Sequence, residues 1–88
     1  MNEEEIIEVP LSFDTPEFAQ AWTLYKEDMI ESYRIYLSPR EENIMLDWLN
    51  IWSNNNSEKA IEILEYIIVN GWTYRESNRY LLKNNGII

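Results

Sequence analysis

The 88-residue chain contains no cysteine and no histidine. It therefore has no means of forming a disulfide framework or a thiolate metal site, and it lacks the usual general base near neutral pH. Unbroken apolar runs such as Ile67-Ile68-Val69 are far too short to span a membrane. The first residues, Met1 to Glu5, are acidic where a signal peptide is basic. We expect a soluble, cytoplasmic protein.

Basic residues are also scarce, since 7 Lys and Arg stand against 16 Asp and Glu, for a formal net charge of -9. Residues 1–31 hold nine acids and one base (-8), whereas residues 32–88 hold seven acids and six bases (-1). Hydrophobic residues nevertheless make up 45% of the chain, which is too apolar for a disordered acidic tail. The composition predicts one folded domain whose negative charge is concentrated in the first third.

Helix-start signals recur along the chain. Asp14-Thr15-Pro16-Glu17 places a capping side chain before a proline and an acid, and two stretches, Ser38–Glu41 and Thr73–Glu76, match the capping box. Ser57 is the predicted cap of a third helix that Asn70-Gly71 ends. The first helix is predicted from Pro16 to Tyr36, and its apolar residues recur at helical spacing: Phe18, Trp22, Tyr25, Met29 and Tyr33.

These signals predict an all-α fold, a compact bundle of about four helices formed by residues 14–88. Residues 1–13 are predicted to form an extended acidic N-terminal arm, because apolar side chains alternate there around Pro10. Asn85-Gly86 is expected to stop the fourth helix, and Ile87-Ile88 to fold back onto it.

Two groups of side chains are candidate protein-binding residues. The polar side of the first helix carries four acids that form a predicted partner-binding face: Glu17, Glu27, Asp28 and Glu31. Trp and Tyr are favoured anchors at interfaces, and the chain holds more of them than one small core requires. Trp52, beside the asparagine run, and Trp72, in a tight turn, are the tryptophans that we expect to be exposed.

Arg75, Arg79 and Lys83 recur every four residues and therefore form one basic stripe on the fourth helix. With the short glycine turn before it, this helix has a loose helix-turn-helix outline, which makes the stripe a candidate contact for nucleic acid. A solvated outer face is the alternative interpretation. Hydrolysis by a pair of carboxylates requires a cleft between them, whereas Glu27 and Glu31 lie one turn apart on a single helix. We predict a non-enzymatic protein with no catalytic residues, metal or cofactor.

The strings FDTPEFAQAWTLYKEDMIESY and EKAIEILEYIIVNGW resemble a small helical module near the C-terminus of phage and prophage replication proteins of the replisome-organiser type. The resemblance spans residues 13–72. Leu37-Ser38-Pro39 and Lys83–Ile87 are similar to the opening and the end of the C-terminal domain of DnaD-like primosomal proteins, although that family's tyrosine with an isoleucine-leucine pair is not reproduced after Tyr74. The resemblance implies a free-standing accessory module that binds a protein in a bacterial host cell.

Three functions remain open at this point. The first is a phage-type protein–protein interaction module that acts on a replication protein or another nucleic-acid-handling protein. The second is an acidic DNA mimic that inhibits a host defence nuclease, of the anti-CRISPR or anti-restriction type, because carboxylates can occupy a phosphate-binding groove. The third is weak nucleic-acid binding through the basic stripe. Head-to-tail self-association and a role in the virion are compatible with the same sequence.

Overall fold

The computed structural model describes the backbone of residues 10–83 and the side chains of residues 10–79. These residues fold into four helices without a strand, which confirms the predicted all-α bundle. None of the four combines the length and hydrophobicity that crossing a membrane requires. The predicted stop at Asn85-Gly86, the return of Ile87-Ile88 and all but the end of the acidic arm lie outside the described residues. The helices are α1 (Pro16–Tyr33), α2 (Pro39–Ser53), α3 (Ser57–Asn70) and α4 (Tyr74–Lys83).

The helix starts follow the predicted capping chemistry. At α2, Ser38 and Glu41 exchange hydrogen bonds, each side chain accepting from the other residue's backbone N–H. Thr73 and Glu76 form the same reciprocal pair at the start of α4. Each pair satisfies backbone donors that a helix start would otherwise leave without partners.

The start of α3 differs from the prediction by one residue. Asn56, rather than Ser57, is the N-cap, and its Oδ1 accepts a hydrogen bond from the backbone N–H of Lys59 at 2.8 Å. The prediction of Ser57 was wrong because asparagine and serine cap helices about equally well, so residue type does not choose between neighbours. The extended backbone of Asn56 identifies this residue as the N-cap of α3.

The end of α1 at Tyr33 precedes the predicted end at Tyr36 by three residues, so that prediction was wrong. Arg34 adopts the left-handed conformation, with φ of 58°. The backbone N–H of Ile35 then bonds to the carbonyl of Met29 at 3.1 Å, which closes the helix. α3 ends in the same way at Gly71, as predicted, with φ of 70°.

Helices α1 and α3 lie side by side and run parallel. At one end, the hydroxyl oxygens of Thr15 and Ser57 are 3.4 Å apart. At the other end, the Tyr33 hydroxyl donates a hydrogen bond to the carbonyl of Gly71. α2 runs antiparallel to α3 through the short turn at residues 54–56, and α4 packs on α2. The topology therefore places the N-termini of α1 and α3 at the same end of the bundle.

The core receives four apolar side chains from each of the first three helices. Three aromatic rings of α1 stack in chain order. The ring centroids of Phe18 and Trp22 are 6.4 Å apart, and those of Trp22 and Tyr25 are 5.3 Å apart. Burial of such side chains from water supplies most of the favourable free energy of folding. The twelve are Phe18, Trp22, Tyr25, Met29, Met45, Leu46, Leu49, Trp52, Ala60, Ile63, Leu64 and Ile67.

Tyr25 is fully buried, and its hydroxyl has no hydrogen-bond partner among the described residues. Burial, followed by the nearby charges of Tyr74 and Asp28, raises the pKa of the Tyr25 phenol above its ordinary value of 10.0. Because the pKa is higher in the folded than in the unfolded state, the neutral phenol contributes stability that is fully present below about pH 10. That stability is lost as the pH rises through the folded-state pKa.

We predict that the free energy of unfolding falls above about pH 10 and that Tyr25→Phe makes this fall shallower, because phenylalanine cannot ionise. Urea unfolding followed by circular dichroism from about pH 8 to about pH 11 measures the effect. Tyr36→Phe is the matched control, since the Tyr36 side chain is 71% exposed. Equal pH dependence in wild type and Tyr25→Phe would show that Tyr25 ionises as freely in the folded state as in the unfolded chain.

Candidate functional site

The aromatic side of α1 is buried in the core, so the acids of this helix lie on its outer side. With about 100° of rotation per residue, the four acids fall within an arc of about 100°, on the side away from the core stripe. Three of them are exposed and Asp28 is half-buried. We call this surface the acidic face, and it consists of Glu17, Glu27, Asp28 and Glu31.

The acidic face is uneven along the helix axis. Glu27, Asp28 and Glu31 lie within about 6 Å of rise, whereas Glu17 lies about 15 Å from Glu27 along the axis. The structure therefore brings three of the predicted residues together near the C-terminal end of α1 and leaves Glu17 at the other end. The partial negative charge of a helix C-terminus adds to that of the three carboxylates.

The one base of α1 does not neutralise this face. Lys26 Nζ lies 3.4 Å from Glu42 Oε1 on α2, with both side chains partly buried. This ion pair fastens α1 to α2 and turns the Lys26 ammonium away from the acidic face. The face consequently keeps the full charge of its own carboxylates.

Leu24 lies in the middle of the acidic face and was missed by the sequence analysis. Its side chain is 55% exposed, and Glu27, Asp28 and Glu31 follow it at spacings of three, four and seven residues. One exposed leucine is ordinary by itself. Among three carboxylates, however, it offers a partner an apolar contact as well as charge. The same helical spacing that identified the acids could have identified it.

Helix α3 contributes a second acidic stripe that the charge totals hid. Glu58, Glu62 and Glu65 recur at spacings of four and three residues, and all three are exposed. The near-neutral total of residues 32–88 arises because most of the compensating bases lie on other elements, such as Arg75 and Arg79 on α4. Folding therefore separates charges that cancel along the chain.

The two tryptophans that were expected to be exposed differ in their burial. Trp52 is only 6% exposed and lies 5.7 Å from the ring of Trp48, so the prediction for Trp52 was wrong. Its position, three residues after Leu49 and seven after Met45, puts it on the buried stripe of α2. Trp72 is half-buried, with its ring edge-on to Tyr66 at 5.4 Å.

The basic stripe is described only in part. Arg75 and Arg79 are exposed on α4, and neither forms an ion pair with a residue that the structure describes. The Lys83 side chain lies outside the described residues. α4 is held to α2 by the rings of Tyr74 and Trp48, which stack 5.4 Å apart. The basic stripe on α4 and the acidic face on α1 therefore lie on helices that do not pack extensively against each other.

The described residues show no group of three or more acidic side chains placed to hold a metal ion. Their carboxylates line convex helix surfaces and concavities at the turn between α2 and α3 and at the starts of α1 and α3. Near the bundle end, burial followed by the charges of Asp28 and Glu76 raises the pKa of Tyr33, whose hydroxyl donates a hydrogen bond to the carbonyl of Gly71. What this surface offers a partner is negative charge and one apolar contact.

Comparison with models of known protein families finds no match, and searches of curated protein sequences and of solved structures find none either. The resemblance to phage replication modules therefore stays a prediction.

The acidic face should affect stability with opposite signs at its two ends. Glu17 stands in the first turn of α1, where a negative charge is favourable, and Glu31 stands in the last turn, which contains no base. We predict that Glu31→Gln raises the free energy of unfolding by about 0.3–1 kcal/mol at low salt. Glu17→Gln, its matched partner, should lower it by a similar amount. Urea unfolding at low and high salt measures both effects, and two changes of the same sign would contradict this account.

Proposed function

We propose that this chain is a non-enzymatic, phage-type interaction module that binds a nucleic-acid-handling protein in the cytoplasm of a bacterial host. The acidic face of α1 is the binding surface. One observation carries the proposal: four carboxylates share this face with the exposed Leu24, while the one base of the helix is engaged by Glu42 on α2.

The chemistry of the face selects the class of partner. A negative surface attracts a positive one, increases the rate of encounter and disfavours partners of like charge. Proteins that bind nucleic acid carry surfaces rich in lysine and arginine, because they must neutralise phosphates. The resemblance to modules of phage replication proteins supports a partner from the same class.

The C-terminal part of the acidic face opposes folding, which favours a role in binding. Glu27 and Glu31 repel each other at a spacing of four residues, and both lie near the negative end of the helix dipole. A surface helix selected only for stability would carry lysine or arginine there. Departures of this kind from local preference are expected at functional surfaces.

A second candidate, the DNA mimic, is favoured by the acidic stripe of α3. Glu58, Glu62 and Glu65 extend the negative surface beyond the first third of the chain. A mimic would occupy the phosphate-binding groove of a nuclease and would be displaced by duplex DNA. An accessory module would bind its partner together with DNA.

The proposal is tested by affinity purification from nuclease-treated bacterial lysate, followed by mass spectrometry. The baits are wild type, the double variant Glu27→Gln/Glu31→Gln and the control Asp14→Asn/Asp47→Asn. Both doubles remove two exposed negative charges, so they share one net charge. We predict that wild type and control recover the same basic nucleic-acid-handling protein and that the α1 double recovers much less of it.

Competition and salt then separate the mechanisms. Recovery should fall steeply between low and physiological salt, because screening weakens contacts between exposed charges. Loss of the partner when duplex DNA is added would identify the mimic, and retention would identify the accessory module. Equal recovery by all three baits, or recovery of no nucleic-acid-handling protein, would contradict the proposal. A gel shift that depends on Arg75 and Arg79 would instead favour direct nucleic-acid binding.

A further inference from the structure

A groove runs between the parallel helices α1 and α3. Its N-terminal end is a concavity lined by residues from the starts of both helices. Its lining combines the apolar Ile61 with the acidic Glu17 and Glu58. The lining residues are Thr15, Glu17, Ser57, Glu58 and Ile61.

The helical repeat continues this pattern along α1. Ala21, Leu24 and Asp28 follow Glu17 at spacings of four, seven and eleven residues, which keeps them on one edge of the helix. Ala21 is half-buried against the core, while Leu24 projects 55% into solvent. Lys26, which pairs with α2, lies on the opposite edge of α1.

The facing edge of α3 repeats the same combination. Glu65 and Ile68 follow Ile61 at spacings of four and seven residues. Ile61 and Ile68 are half-buried against the core, and Glu65 is exposed. The groove therefore has an apolar floor between two acidic rims, one contributed by each helix.

We propose that this groove binds a basic amphipathic helix of the partner protein. This inference rests on the proposed function and narrows it to one kind of segment. The 14 residues of α3 give the groove a straight length of about 20 Å, which accommodates four turns of helix. Apolar side chains of such a helix would contact Leu24 and Ile61, and flanking lysines or arginines would meet the acidic rims.

A second copy of this chain fits the groove less well. Its α4 offers Arg75 and Arg79 but also carries Glu76, and the ring of Tyr74 on that helix is already stacked on Trp48. Nucleic acid is disfavoured because its phosphates would face the carboxylates of both rims. A basic segment from another protein satisfies both the charge and the apolar floor.

The test uses the full chain and a fluorescent synthetic peptide of about 18 residues, in which leucines form one helical face and lysines the other. A peptide of the same composition in scrambled order is its control. We predict that wild type binds the amphipathic peptide at least about fivefold more tightly than the scrambled one, measured by fluorescence anisotropy. The lost apolar contact should make Leu24→Ser bind it about fivefold more weakly. Ile51→Ser, which removes a side chain that is 72% exposed on α2, should bind within about twofold of wild type.

Two results with the peptides would overturn the proposed binding in the groove. Equal binding of the two peptides, or equal affinity of Leu24→Ser and wild type, would show that charge alone attracts the peptide. If the chain forms a dimer in sedimentation and the dimer excludes the peptide, the groove binds a second copy of the chain instead. Using Leu24→Ser as a lysate bait separates this inference from the proposed function. If Leu24→Ser captures the partner as wild type does while Glu27→Gln/Glu31→Gln loses it, the proposal of helix binding in the groove is wrong. The proposal that the acidic face binds the partner is then still supported.

Discussion

The packing of the α1 aromatic stripe into the core fixes the rotation of α1 about its own axis. Phe18, Trp22, Tyr25 and Met29 are all buried, and no other orientation of the helix would bury all four. Parallel packing on α3 follows, secured at one end by the hydroxyls of Thr15 and Ser57 and at the other by Tyr33 and Gly71. The position of every acid on α1 is a consequence of that burial, since side chains opposite a buried stripe must face outward.

This arrangement separates the residues that stabilise the fold from those that we assign to binding. Lys26 is used internally, in its pair with Glu42, although it is the one cation of α1 that could have offset the acids nearby. The carboxylates near the end of α1 oppose both one another and the helix dipole. A core of twelve apolar side chains is large enough to tolerate such a cost, because each exposed charge contributes only tenths of a kcal/mol. The surface can therefore be specialised for a basic partner without endangering the fold.

Local chemistry in the sequence predicted the four helices and, apart from the one-residue difference at α3, their starts, because caps depend on neighbours three residues apart. The same reasoning failed where tertiary contacts decide. Trp52 was assigned to the surface from the polar run beside it, whereas its spacing from Leu49 puts it in the core. The groove could not be predicted at all, because it requires knowing that α1 and α3 are parallel neighbours. The acidic stripe of α3 was visible as spacing, yet the near-neutral total charge of residues 32–88 concealed it.

The parallel arrangement of α1 and α3 is the central claim, because the groove and its two acidic rims depend on it. Nuclear Overhauser contacts in the full chain test it directly. The account predicts contacts between the Tyr33 ring and the α protons of Gly71, and between the Thr15 methyl and the β protons of Ser57. Contacts between Tyr33 and Ser57, or between Thr15 and Gly71, would make the two helices antiparallel and would contradict it.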